Sequence, residues 1–93
     1  MFVDSSSLPE QVTDDVIKSA FGSAGQRCSA LRILCIQEDA ADKIIHMLKG
    51  AMKELTIGDP AQLSTDIGPV IDAPSLKMLQ DHRSMLELSL IHI

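Results

Sequence analysis

The run Gly25-Gln26-Arg27-Cys28-Ser29-Ala30 is where this chain could do chemistry, and a second thiol, Cys35, follows seven positions after Cys28. A cysteine in a loop can be partly exposed. Neighbouring backbone N–H dipoles and a nearby cation, here Arg27, favour its thiolate, the form that attacks a carbonyl carbon. By residue type alone Cys28 reads first as a small buried thiol, since free cysteine is among the most buried residues. Cys35 stands in the apolar run Leu31 to Ile36, where a thiolate is costly, and reads as a core filler. The two lack C-x-x-C spacing, so a redox pair would need the fold to bring them together. His46, His82 and His92 share no ligand spacing with either cysteine, so no metal site is expected. Gly22-Ser23-Ala24-Gly25 lacks the spacing of a phosphate loop and follows a helical pattern rather than a strand.

Three helices and one strand must position these residues. Val12, Val16, Ile17, Ala20, Phe21 and Ala24 recur at helical spacing from Pro9, and the end falls around Ser23 to Gly25. Ser7 and Glu10 have the spacing of a capping box, and Pro9 suits a first turn. Leu31 to Ile36 reads as a strand buried on both faces, as in a parallel sheet. A second helix runs from about Asp39 to Leu55, with Ala41, Ile44, Ile45, Leu48, Met52 and Leu55 as its apolar face. Gly58-Asp59-Pro60 is a turn, and Ala61 to Ile71 an ordered but irregular loop. Asp72 can cap a third helix, with Pro74 in its first turn and Leu76 and Leu79 facing inward. The class is α/β, a helix-strand-helix unit. One buried-type strand leaves its ladder groups unpaired, and the chain offers it no convincing partner, so the expectation is a piece of a larger domain.

Composition narrows the function. The 93 residues hold at most one small domain. With a net charge of −5 and 2% aromatic residues, nucleic acid is not an expected partner. No apolar run approaches the roughly 20 residues of a membrane span. Met1-Phe2-Val3-Asp4 is not a signal peptide. Two cysteines make no disulfide framework, which fits a reduced, cytoplasmic compartment.

Phe21 through Ala30, FGSAGQRCSA, resembles the nucleophile segment of the aldehyde dehydrogenase superfamily. Met1 to Ser6 looks like the strand after that family's Glu-Leu-Gly-Gly type motif. LTIGDP, from Leu55 to Pro60, and DIGPVI, from Asp66 to Ile71, are similar to two further family segments. Four linked motifs, from Phe2 to Asp72, are far more specific than one. The wording is most similar to the L-glutamate γ-semialdehyde dehydrogenase module of proline-utilization proteins, notably MLKGAMKEL from Met47 and LSTDIGPVID from Leu63. The resemblance implies a piece of the α/β catalytic domain, Cys28 as nucleophile, Ser29 as an anchor for the substrate carboxylate, an aldehyde substrate, NAD as cofactor and a homo-oligomeric full-length enzyme. Ser29 could instead be a turn hydroxyl bonding local backbone. The resemblance also places the general-base glutamate, the dinucleotide-binding domain and the oligomerisation segment outside this chain.

The expected organisation is therefore a partial catalytic domain over residues 1–85 and a non-native tail over 86–93. Leu88-Ser89-Leu90-Ile91-His92-Ile93 looks like a translated transposon-end adaptor. The competing reading is a small helical interaction module with a structural cysteine and no catalysis.

Overall fold

Strands β1 (Phe2–Val3) and β2 (Cys35–Ile36) pair in parallel in the computed structural model, which describes the backbone of residues 1–91 and the side chains of residues 1–89. Helix α1 (Pro9–Phe21) makes the crossover between them, and α2 (Glu38–Glu54) follows β2 directly. Helix α3 (Ala73–Ile91) closes the described order. Of the expected tail, His92 and Ile93 lie outside the described residues.

The strand at 31–36 thus has a partner after all, supplied by Phe2 and Val3. It is also shorter than its apolar run. Met1 N donates to Ile33 O (3.0 Å), Cys35 N to Met1 O (2.9 Å) and Gln37 N to Val3 O (2.8 Å). Leu31 instead donates its N–H to Ser19 O of α1 (3.1 Å), so the chain leaves the sheet there. Burial on both faces is not observed. Val3 is buried and its register partner Ile36 half-buried against the helices, whereas Phe2 and its partner Cys35 occupy the other face and are exposed. Alternation along a strand forces that split, because both helices pack on one face of the pair.

The core is Val3, Val12, Val16 and Ile44, with Leu31, Leu34, Ile36, Ala40 and Leu48 packed around it. The stripes expected on α1 and α2 are the ones that meet, although Ile45 and Met52 lie on the exposed flank of α2. The capping box does not form. Leu8 is the N-cap of α1 without a side-chain bond, while Ser7 Oγ donates to Asp4 O (2.6 Å). Pro9 does occupy the first helical position. Gly50 in α2 has open space where a Cβ would stand, with nothing within 4 Å. Gly50→Ala should therefore raise stability by about 0.5–1 kcal/mol, since glycine costs that much in a helix interior; a lower urea midpoint would contradict it.

The turn after α2 is as expected, with Gln62 N bonded to Asp59 O (3.1 Å), and the following loop is tied by a parallel bridge between Ile57 and Ile67. Asp72 caps α3: its Oδ1 accepts from Ser75 N (2.8 Å) and its carbonyl from Leu76 N (3.2 Å). The inward placing of Leu76 and Leu79 is not observed; they are 46% and 45% exposed, because α3 runs beside the loop rather than over the core. The bonds from Ser75 hold the Asp72 carboxyl below its ordinary pKa. A depressed folded value means the stabilisation is present above the unfolded pKa and is lost as pH falls through the folded one. The helical circular dichroism of α3 should therefore decline below about pH 4, and Asp72→Ala should remove that acid-side step.

Candidate active site

Helix α1 ends in an unusual backbone. Ser23 and Ala24 both lie in the left-handed region, at φ 55° and 54°, and Gly25 follows at φ 70°. For a residue with a Cβ this conformation costs roughly 1–2 kcal/mol, because the Cβ crowds the carbonyl oxygen. The turn reverses the chain after α1 and delivers it to Arg27–Ala30. There Ala30 N bonds Arg27 O (3.1 Å), which makes Cys28 and Ser29 the two central residues of a turn. Ala30 is buried, and the next residue, Leu31, is the one tied to α1, so the far side of the turn is anchored. Cys28 and Ser29 are both exposed at its tip.

Arg27 does not turn toward the thiol. Its Nη2 donates to Lys18 O (3.2 Å) at the C-terminal end of α1, where the helix dipole favours a cation. Arg32 Nη2 donates to Gly25 O (2.8 Å), Gln26 Nε2 to Ser23 O (3.0 Å), and Ile71 N to Gln26 Oε1 (2.7 Å). Sequence reasoning saw Gly25 and Gln26 only as part of a motif and gave Arg32 no task. The small residues Ser23-Ala24-Gly25 were the signal that a tight turn lay there.

Cys35 is exposed, not a core filler, since it sits on the bare face of the sheet beside Phe2. It lines a cleft of about 740 Å³ with Met1, Phe2, Val3 and Ile36. A second cleft of about 650 Å³ lies between the Gly25–Gln26 turn, Arg32, Ile71 and the α3 residues Met78, Leu79 and His82. Neither Cys28 nor Ser29 lines either cleft. The Gly22–Gly25 turn is not built as a phosphate cradle. It stands at a helix C-terminus, whose outward carbonyls repel phosphate, and its carbonyls at Ser23 and Gly25 already accept bonds.

The sequence pattern of the aldehyde dehydrogenase family matches residues 1–85. The chain belongs to that family. It is 60% identical over 82 residues to the bifunctional protein PutA of Klebsiella aerogenes, covering 88% of this chain and 6% of that protein. It is 36% identical over 80 residues to the 1-pyrroline-5-carboxylate dehydrogenase of a Geobacillus species, covering 86% of this chain and 16% of that one. The crystal structure of a bifunctional proline utilization A protein superposes with a TM-score of 0.90 at 51% identity, over 94% of this chain and 9% of that one. The β1–α1–β2–α2 arrangement is thus a part of an aldehyde dehydrogenase domain, and the chain spans about 6% of the PutA relative from Klebsiella.

Gly25 carries a stability test of the turn. A Cβ there would lie 3.2 Å from Ala20 O and 3.3 Å from Arg32 Nη1, at a φ that L side chains avoid. Gly25→Ala should cost about 1–2 kcal/mol by urea denaturation, the opposite sign to Gly50→Ala. Equal effects at the two glycines would mean that the left-handed turn is not formed in solution.

Proposed function

We propose that this segment belongs to an enzyme of proline catabolism that oxidises L-glutamate γ-semialdehyde to L-glutamate, with Cys28 as its nucleophile. The observation that carries this reading is an exposed thiol at the tip of an anchored turn, in a family segment whose relatives are named PutA and 1-pyrroline-5-carboxylate dehydrogenase. A thiolate at that position adds to the aldehyde carbon and gives a thiohemiacetal. The N–H groups of Cys28 and Ser29 enter no hydrogen bond among the described residues, and either could donate to the developing oxyanion. Loss of hydride leaves a thioester, which water opens to the acid. NAD is the acceptor in this reading, held by parts of the enzyme outside these residues. The full-length enzyme is read as a cytoplasmic homo-oligomer; two free thiols support the reduced compartment. Among the described residues no helix is long and apolar enough to cross a membrane.

Ser29 is the proposed carboxylate anchor, since its hydroxyl is exposed beside the thiol. In a full-length enzyme carrying this segment, Ser29→Ala should raise KM for glutamate semialdehyde. A hydrogen bond to a charged group contributes about 1.5–3 kcal/mol, or roughly 10- to 100-fold in binding. An aliphatic aldehyde without a carboxylate should be oxidised almost as before. Equal losses on the two substrates would assign Ser29 to the turn and remove the specificity argument.

A further inference from the structure

We propose that Gln26 and Arg32 are positioning residues, which together hold the left-handed turn Ser23–Gly25 closed and so set the direction in which the Cys28 thiol is presented. The proposal rests on the reading of Cys28 as nucleophile. Two successive residues with a Cβ do not stay left-handed without support. Support comes from three side-chain bonds. Gln26 donates to Ser23 O (3.0 Å) and accepts from Ile71 N (2.7 Å), so one carboxamide ties the turn to a loop 45 positions away. Arg32 donates to Gly25 O (2.8 Å) across the seven positions that contain Cys28. The thiol therefore sits inside a ring closed at both ends, with Gln26 just before its turn and Arg32 just after it. Neither side chain is next to Cys28 in sequence, and both reach backbone rather than thiol. Released from either bond, Ser23 and Ala24 would relax toward right-handed backbone, and the chain entering the Arg27–Ala30 turn would swing.

The test transplants residues 1–85 into the full-length Klebsiella aerogenes relative, which is 60% identical over 82 residues. Turnover is measured per titratable active-site thiol, with KM and melting temperature alongside. Gln26→Ala and Arg32→Ala are each expected to lower kcat by roughly 10- to 100-fold, the scale of an ångström of misplacement, with KM little changed. Arg32→Lys keeps a donor near Gly25 O and should retain most of the rate. Ser23→Gly with Ala24→Gly makes the left-handed turn nearly free of strain, and should restore part of the rate lost in Arg32→Ala. A purely structural role predicts instead that kcat per active thiol stays constant while the folded fraction falls, and that result overturns the proposal. In the 93-residue chain, φ-reporting three-bond couplings of Ser23 and Ala24 give an independent reading. Positive φ should be lost in Arg32→Ala; its retention also overturns the proposal. Persistent turnover in Cys28→Ala would remove the nucleophile reading itself, which the Gln26 and Arg32 variants do not touch.

Discussion

Alanine at position 28 is expected to abolish aldehyde oxidation in a full-length enzyme carrying this segment, a loss of roughly a thousandfold or more in kcat, since removal of a covalent nucleophile leaves only binding and electrostatics. Cys35→Ala should leave turnover nearly intact. Burial does not separate the two thiols, because both are exposed. Position separates them. Cys28 is central in a turn whose far side is anchored by Ala30 and Leu31, whereas Cys35 lies in β2 on the bare sheet face. In the 93-residue chain an exposed strand cysteine also has little packing to lose, so there Cys35→Ala should change stability by no more than about 0.5 kcal/mol. Steady-state rates on glutamate semialdehyde decide the matter. Turnover at a near-normal rate in Cys28→Ala, or its loss in Cys35→Ala, would end the assignment.

Ile44→Ala should give the largest stability effect in this chain, about 2–5 kcal/mol. Ile44 is fully buried, at 0% exposure, and is the contact through which α2 meets Val12 and Val16 of α1 and Val3 of β1. Val3, Val12 and Val16 are the buried residues around it, so its loss opens a cavity at the centre of the cluster. Isolated helices of 13 and 17 residues are marginal in water, and their stability comes from this shared face. The helical circular dichroism of the 93-residue chain, followed in urea, should show the loss. A change below about 1 kcal/mol would mean that α1 and α2 do not pack as described. Ile45→Ala on the exposed flank of α2 serves as the control and should change little.

The helices were legible because their apolar residues repeat at helical spacing. The second helix runs Glu38–Glu54 against an expected Asp39 to Leu55, and Pro9 in the first turn of α1 and the Asp72 cap of α3 are where the residue types placed them. The family was legible too, since four short motifs stand in order over most of the chain. Strand length and burial were not. Leu31 to Ile36 is apolar enough for a strand buried on both faces, yet Cys35–Ile36 pairs with β1 while the N–H of Leu31 bonds Ser19 O of α1, a competing backbone acceptor that no local pattern announces. The capping box failed for a local reason: the Ser7 hydroxyl donates to Asp4 O, and Leu8 rather than Ser7 stands at the N-cap.

The amino-acid order by itself determined which residues could react, where the helices lie and which faces of α1 and α2 are apolar. Those are local properties, set by side-chain chemistry and a period of 3.6 residues. Only the tertiary structure decided that Phe2 and Val3 pair with β2, that Cys35 is as open as Cys28, and that Arg27 reaches for Lys18 O rather than the thiol. It also decided that Ser23 and Ala24 are left-handed, held by Gln26, Ile71 and Arg32. No spacing rule encodes a bond between positions 26 and 71. It forms because the core at Ile44 brings α1 and α2 together and carries the loop after α2 back beside the turn after α1, where a carboxamide can bridge them.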